Sequence, residues 1–181
     1  MGGEEWGAHS IHRAIILDAI HIMNKIASAL EWISKILNKH QIPWQLTGGL
    51  AAHAYGSTRP INDIDIDIPE DRFAEILDEV KPYITDAPCR IDNPVLDVYA
   101  MTLEYQGQEV DIGGAYETRV KDLKTGIWHT VKVDLDNVEQ KNVFGVEVPV
   151  VNKQDLITYK QWLAVPGNHQ EQDIKEIQNS P

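Results

Sequence analysis

The stretch INDIDIDIP, Ile61 to Pro69, alternates three carboxylates, Asp63, Asp65 and Asp67, with Ile64, Ile66 and Ile68. Successive side chains of a β-strand point to opposite faces, so the isoleucines line one face and the aspartates the other. The isoleucine face belongs in a core. The aspartate face sets like charges along one line, where each disfavours ionisation of the next. Two uses offset that repulsion. Charge on an edge strand blocks aggregation. Alternatively, the carboxylates hold divalent cations: Mg²⁺ takes oxygen ligands and binds through one or two carboxylates together with substrate phosphates. Such a cation becomes the largest local charge and removes the repulsion. Aspartate is a poor strand residue, and lysine or threonine would serve an edge better.

The residues before this strand favour the cation. TGGLAAHAYG, Thr47 to Gly56, is a tight glycine turn opening a short helix. Backbone N–H groups at such a start attract anions, and glycine permits close approach of a phosphate. Gly49 is the position where a side chain would block that approach. A further acidic strand end follows in QEVDIGG, at Asp111. The order is strand, Gly-Gly, helix, a loop carrying Arg59, Asp-x-Asp on a strand, then Asp111.

These residues need elements to hold them. Residues 9 to about 40 read as a helix, with apolar positions from Ile15 to Leu37 at three- and four-residue steps, Ser10 as N-cap and a possible break near Ile22. IPWQLTGG reads as a short buried strand, and Leu50 to Gly56 as a helix ending at glycine. PEDRFAEILDEVKPYI reads as a helix started by Pro69, with acidic residues in its first turn. Strands are expected over Asp97–Tyr105, Gln108–Gly113, Ile127–Val133 and Val143–Val150, with a hairpin turn centred on Gly107. A helix follows the Asn152 cap, PGN interrupts it, and HQEQDIKEIQ forms a second. The expected fold class is α+β: a small mixed sheet flanked by helices, with a long N-terminal helix and C-terminal helices. One domain is expected over 1–181, comprising a helical segment 9–40, a core 41–150 and closing helices 151–181.

Composition narrows the function. Lys+Arg number 16 against 28 Asp+Glu, a net charge of -12, which repels long nucleic acids in the absence of a basic cluster. One cysteine, Cys89, allows no intrachain disulfide and reads as an incidental thiol. No apolar run is long enough to span a bilayer. MGGEEWGAHS lacks a signal peptide's basic start and apolar centre, so a soluble cytoplasmic protein is the default. Trp44, Trp128 and Trp162 read as core, His53 as a packing or surface histidine, and Asp134 and Asp136 as a strand-to-loop transition. Asp67 reads as a helix cap or solvated residue more readily than as a spare metal ligand.

LTGGLAAHAYGSTRPINDIDIDIP resembles the nucleotidyltransferase superfamily of the DNA polymerase β type, and most of all its small bacterial and archaeal members. These include antibiotic nucleotidyltransferases and the transferases of toxin–antitoxin pairs. Gly48 and Gly49 match the family's glycine pair, Asp63 and Asp65 its paired carboxylates, and Asp111 its third. DLITYKQWLAVPGNHQEQDIKEI is similar to the family's closing helices, with Lys160 and Asp173 at charged positions and His169 where arginine is common. The resemblance implies transfer of a nucleoside monophosphate from an NTP to an acceptor hydroxyl on a small molecule, a protein or a short RNA end. It implies Mg²⁺ or Mn²⁺, two ions, on Asp63, Asp65 and Asp111, with Asp111 nearer the acceptor and able to take its proton. The Gly48–Gly49 turn would hold the β/γ-phosphates and Arg59 a triphosphate oxygen, with Lys160 also assigned to the nucleotide. Thr47 would add a hydroxyl contact or pack the strand end, and a salt bridge to a nearby aspartate is the alternative for Arg59. Two other functions stay open: an inactive nucleotide- or protein-binding member, and an acidic, antitoxin-like interaction module. The acceptor, the base of the NTP and any oligomer are not legible.

Overall fold

The computed structural model describes residues 5–180, with side chains from residue 16 onward. Helix α1, Glu5–Lys39, is unbroken at Ile22. Ser10 falls inside it, and its side chain lies outside the described residues. Ile26, Ala29, Leu30, Ile33, Ile36 and Leu37 form its buried stripe, as three- and four-residue steps require. The chain continues through β1 (Gln45–Thr47), α2 (Gly48–Ala54) and β2 (Asp63–Ile68). A single 3₁₀ turn then leads into α3 (Phe73–Val80), and a second one ends it at Pro82, so the continuous helix expected over 69–84 is shorter.

Five strands follow in the middle of the chain: β3 (Ile84–Asp92), β4 (Leu96–Tyr105), β5 (Gln108–Gly114), β6 (Arg119–Lys121) and β7 (Trp128–Thr130). β3 was not expected. It is mostly exposed, contains Pro88 and slips register between Asp86 and Cys89, all tolerable on an edge strand. Exposed Cys89 sits on it. The strand expected over 127–133 shrinks to β7. The one expected over 143–150 is instead a hairpin: β8 (Val138–Val143), a turn at Phe144–Gly145 with positive φ at both residues, and β9 (Val146–Val151). Helices α4 (Lys153–Leu163) and α5 (His169–Asn179) close the fold, capped by the side chains of Asn152 and Asn168.

The sheet is mixed, in the order β7-β6-β4-β5-β2-β1-β9-β8, with β3 along the other side of β4. β2 runs parallel to β5 and antiparallel to β1. It is therefore a central strand, which excludes the edge-charge use of its aspartates. Ile64, Ile66 and Ile68 are buried in one apolar cluster with Leu46, Val110, Ile112, Val150 and the α1 stripe. The fold is thus α+β, with the aspartate row left on the face opposite the isoleucines.

The loop before β2 is tied to the far end of the chain. Asp173 of α5 is fully buried and accepts bonds from Ser57 Oγ (2.7 Å), Arg59 Nε (3.3 Å) and Lys160 Nζ (2.8 Å). Thr58 donates its backbone N–H to Glu176 at 2.7 Å. Lys160, 2% exposed, also donates to Gln170 at 3.1 Å. Removing one partner of a buried ion pair strands the other charge. Asp173→Ala should therefore destabilise the fold by about 3–5 kcal/mol in denaturant titration, whereas Lys160→Met combined with Asp173→Leu should recover most of that loss.

Candidate active site

Four strands place polar side chains in rows across the face opposite the isoleucines. Thr47 of β1, Asp65 of β2, Asp111 of β5 and Thr102 of β4 are register partners in one row. Gln45, Asp67, Gly113 and Ala100 form the next. Residues directly opposite one another point to the same side, so Asp111 joins Asp65 and its neighbour Asp63. These three bring carboxylate oxygens within 4.8 Å of one another, the only such cluster among the described residues.

The cluster has few donors. Thr102 Oγ1 donates to Asp111 at 2.6 Å, and the Gly49 N–H donates to Asp65 at 3.3 Å. Burial, and then the charges of Asp63, Asp111 and Asp67, push the Asp65 carboxyl up to about 7, against a small lowering by Gly49. Asp111 is also raised, by burial and then by Asp63 and Asp86, with Thr102 pulling the other way. Glu109 is raised chiefly by the charge of Asp111. Three half-buried carboxylates with two hydrogen-bond donors and no paired cation make a donor set suited to a hard divalent ion. Mg²⁺ or Mn²⁺ fits these oxygens.

The other expected residues sit around this cluster in different ways. Gly48 takes φ +64°, and a Cβ there would overlap the Asp65 carboxylate. Gly49 has an ordinary φ, but a Cβ on it would come to 2.5 Å from Arg59 Nη2. The positive-φ constraint of the turn is thus at Gly48, while Gly49 makes room for Arg59. Arg59 bonds Asp173, as the salt-bridge alternative had it, and its guanidinium also lies against the glycine turn. Thr47 precedes α2 without a side-chain capping bond. Lys160 donates its ammonium to Asp173 and Gln170.

Asp67 neither caps the Pro69 turn, which has no side-chain cap, nor faces bulk solvent. Gln45 Nε2 donates to it at 2.8 Å, while burial and then Glu70 hold its carboxyl up at about 6. His53 packs against Phe144, with ring centroids 5.0 Å apart. Trp44 is buried, but Trp128 and Trp162 are not core. With Thr47, Gly48, Asp65, Asp67 and Asp111 they line a cavity of about 810 Å³ over the aspartate face, roofed by α4. Thr102, Gln45 and Tyr159 are further members that sequence reasoning missed.

A model of the aminoglycoside-2''-adenylyltransferase family matches residues 29–179, a span that contains the glycine turn, the three aspartates and both closing helices. The chain belongs to this family. It is a nucleotidyltransferase. Among the solved structures it resembles, ANT(2'')-Ia in complex with adenylyl-2''-tobramycin shares 16% identity over 83% of this chain and 86% of that one, at TM-score 0.57. Lincomycin-bound LnuA, a lincosamide antibiotic adenylyltransferase, shares 15% over 83% and 94%, at TM-score 0.55. A Thermotoga maritima protein assigned as a nucleotidyltransferase shares 22% over 74% and 83%, at TM-score 0.56. At these identities the likeness is one of fold. No curated protein matches the chain.

Placed in this family, the crowded aspartates have a measurable consequence. Asp65 holds a proton in the folded chain up to about pH 7, whereas the unfolded chain releases it near the ordinary value of 3.8. The folded state binds more protons in that window, so its stability falls as pH rises across it. An upward move of this size corresponds to at most about 4 kcal/mol. In chelator at about pH 8, Asp65→Asn should melt above wild type, and the two should converge in acid. Saturating Mg²⁺ should raise the wild-type Tm and leave Asp65→Asn nearly unmoved. Equal Mg²⁺ stabilisation of both would show that Asp65 holds no cation.

Proposed function

We propose that the chain transfers a nucleoside monophosphate, in its family's reaction the adenylyl group of ATP, to a hydroxyl of a small-molecule acceptor. The observation that carries this proposal is the convergence of Asp63, Asp65 and Asp111 beside the Gly48–Gly49 turn. Nucleotidyl transfer spreads negative charge over the phosphoryl oxygens, so catalysis is mostly positioning and electrostatic stabilisation. Asp63, Asp65 and Asp111 would hold Mg²⁺ or Mn²⁺, two ions when fully occupied. A divalent cation bound there supplies charge neutralisation at the attacking and leaving oxygens.

The chain's own groups do the rest. The turn at Gly48 and Gly49 presents backbone to the triphosphate at close range. Arg59, steadied by Asp173, offers its guanidinium fork to a phosphate oxygen. Lys160 contributes by fixing Asp173. Thr47 lines the same floor and offers its hydroxyl. Asp111 lies on β5, two strands from β1, and burial raises its carboxyl, which suits it to take the acceptor's proton. Thr102 holds it in place for that transfer.

A small-molecule acceptor is favoured over a protein side chain or an RNA end. The related structures are those of adenylyltransferases holding lincomycin and adenylyl-2''-tobramycin, and the net charge of -12 opposes polynucleotides. No described helix is long and apolar enough to cross a membrane, and we place the reaction in the cytoplasm, with its ATP.

ATP turnover with Mg²⁺ and a panel of hydroxylated acceptors tests this function. Asp111→Asn should lower kcat about a hundredfold or more, the scale of a lost general base, with little change in Tm. Gly48→Ala should raise the KM for ATP, because its Cβ displaces the Asp65 carboxylate. Full activity in Asp111→Asn would remove that residue from the chemistry.

A further inference from the structure

The cavity over the aspartates has two unlike ends. Thr47, Gly48 and the carboxylates line one. The other lies beyond Asp111 along β4, where Ala100 and Val98 succeed Thr102 on the same face. It is walled by Ile91, Val131, Trp128, and His129 stacked on Trp162 with ring centroids 4.6 Å apart and planes 4° from parallel. Arg119 lies over the Trp128 ring, 5.6 Å from its centroid, and bonds the buried Asp97 at 2.6 Å, which fixes that rim. Outside α1, the exposed large apolar side chains of the described residues are Ile91, Tyr116, Leu123, Ile127 and Trp128. Of these, Ile91 and Trp128 line this cavity. Apolar surface gathered round a concavity marks a binding site for apolar groups.

Charge is absent where a polycation would need it. Besides Asp65 and Asp111, the acidic side chains lining the cavity are Asp67 and Asp155. Asp67 already accepts from Gln45, and Asp155 stands exposed on the first turn of α4. The aromatic end offers no carboxylate, and Lys132 adds a positive charge to the lining. An amine held there would be desolvated without a partner.

We propose that the acceptor is a hydroxyl compound with an apolar, ring-bearing body that packs against Trp128, His129 and Trp162, and is not an aminoglycoside-like polycation. This rests on the nucleotidyl-transfer reading and names the substrate class of the same site. The end in question is the acceptor's because it adjoins Asp111 and β4, whereas the phosphate-holding turn lies across the sheet beside β1. The body of the acceptor stacks on the indoles while its hydroxyl reaches Asp111.

The test compares 4-nitrophenyl glucoside, methyl glucoside and tobramycin as acceptors, with ATP and Mg²⁺, by mass-spectrometric detection of adenylylated product. The aryl glucoside should exceed the methyl glucoside at least roughly tenfold in kcat/KM, the discrimination a small apolar group supports, and should also exceed tobramycin. Trp162→Ala should raise the KM for the aryl glucoside by a similar factor and leave the KM for ATP unchanged. Trp128→Ala, at an exposed rim position, should do the same if Trp162→Ala folds poorly. Preference for tobramycin, equal use of both glucosides, or a rise in the KM for ATP alone would overturn the proposal. So would turnover of none of the three with Mg²⁺-dependent ATP binding intact, an outcome that leaves nucleotidyl transfer standing. Loss of that ATP binding would defeat both.

Discussion

Like charge crowded onto one face of β2 is the condition that the rest of the site accommodates. Burial and mutual repulsion together hold the Asp65 carboxyl up at about 7. A fold built for stability alone would not bring Asp63, Asp65 and Asp111 together, because no cation among the described residues pairs with them. Among the described residues only Thr102 and the Gly49 N–H donate to them. That shortage of partners is the condition the proposed cation would relieve.

The sheet can bear this because its two faces are chemically separate. Ile64, Ile66 and Ile68 bury into the apolar cluster against α1, while Asp65 and Asp67 open to the cavity. β2 lies between a parallel and an antiparallel neighbour, so its backbone is satisfied on both edges. The carboxylates are therefore held by the strand itself and need no packing of their own. Glycine enters for a related reason: at Gly48 the space a Cβ would occupy is filled by the Asp65 carboxylate.

Much of the site could be read from short-range pattern. Alternation fixed which side chains share a face of β2, and the glycine pair marked the turn beside it. The hairpin centred on Gly107 already implied more than was taken from it. Pairing Tyr105 with Gln108 and counting outward sets Thr102 opposite Asp111. Other features had no local signal. β3 hides because an exposed edge strand with a proline shows neither a clean period nor strong propensity. The hairpin of β8 and β9 was lost because Phe144 adopts a positive φ that its side chain does not announce. Lys160 and Arg59 could be named from the family pattern, but their convergence on Asp173 depends on how α4 and α5 fold back. The roles of Trp128 and Trp162 reverse for a similar reason. Large aromatics usually go to cores, and only the tertiary placement of β7 and α4 around an open cavity exposes them.

The bond between Arg59 and Asp173 spans 114 residues of sequence, and it joins the loop that leads into the aspartate strand to the second closing helix. A chain leaving the ribosome presents β1, the glycine turn and β2 long before α5 exists. During that interval Arg59, Ser57 and Lys160 lack the carboxylate that orients them. Non-local contacts of this kind form late, and domains assemble as units while synthesis proceeds. The glycine turn and the aspartates can thus be in place on a nascent chain while the guanidinium beside them is still unanchored. The orientation of that guanidinium is in this sense timed by the emergence of α5.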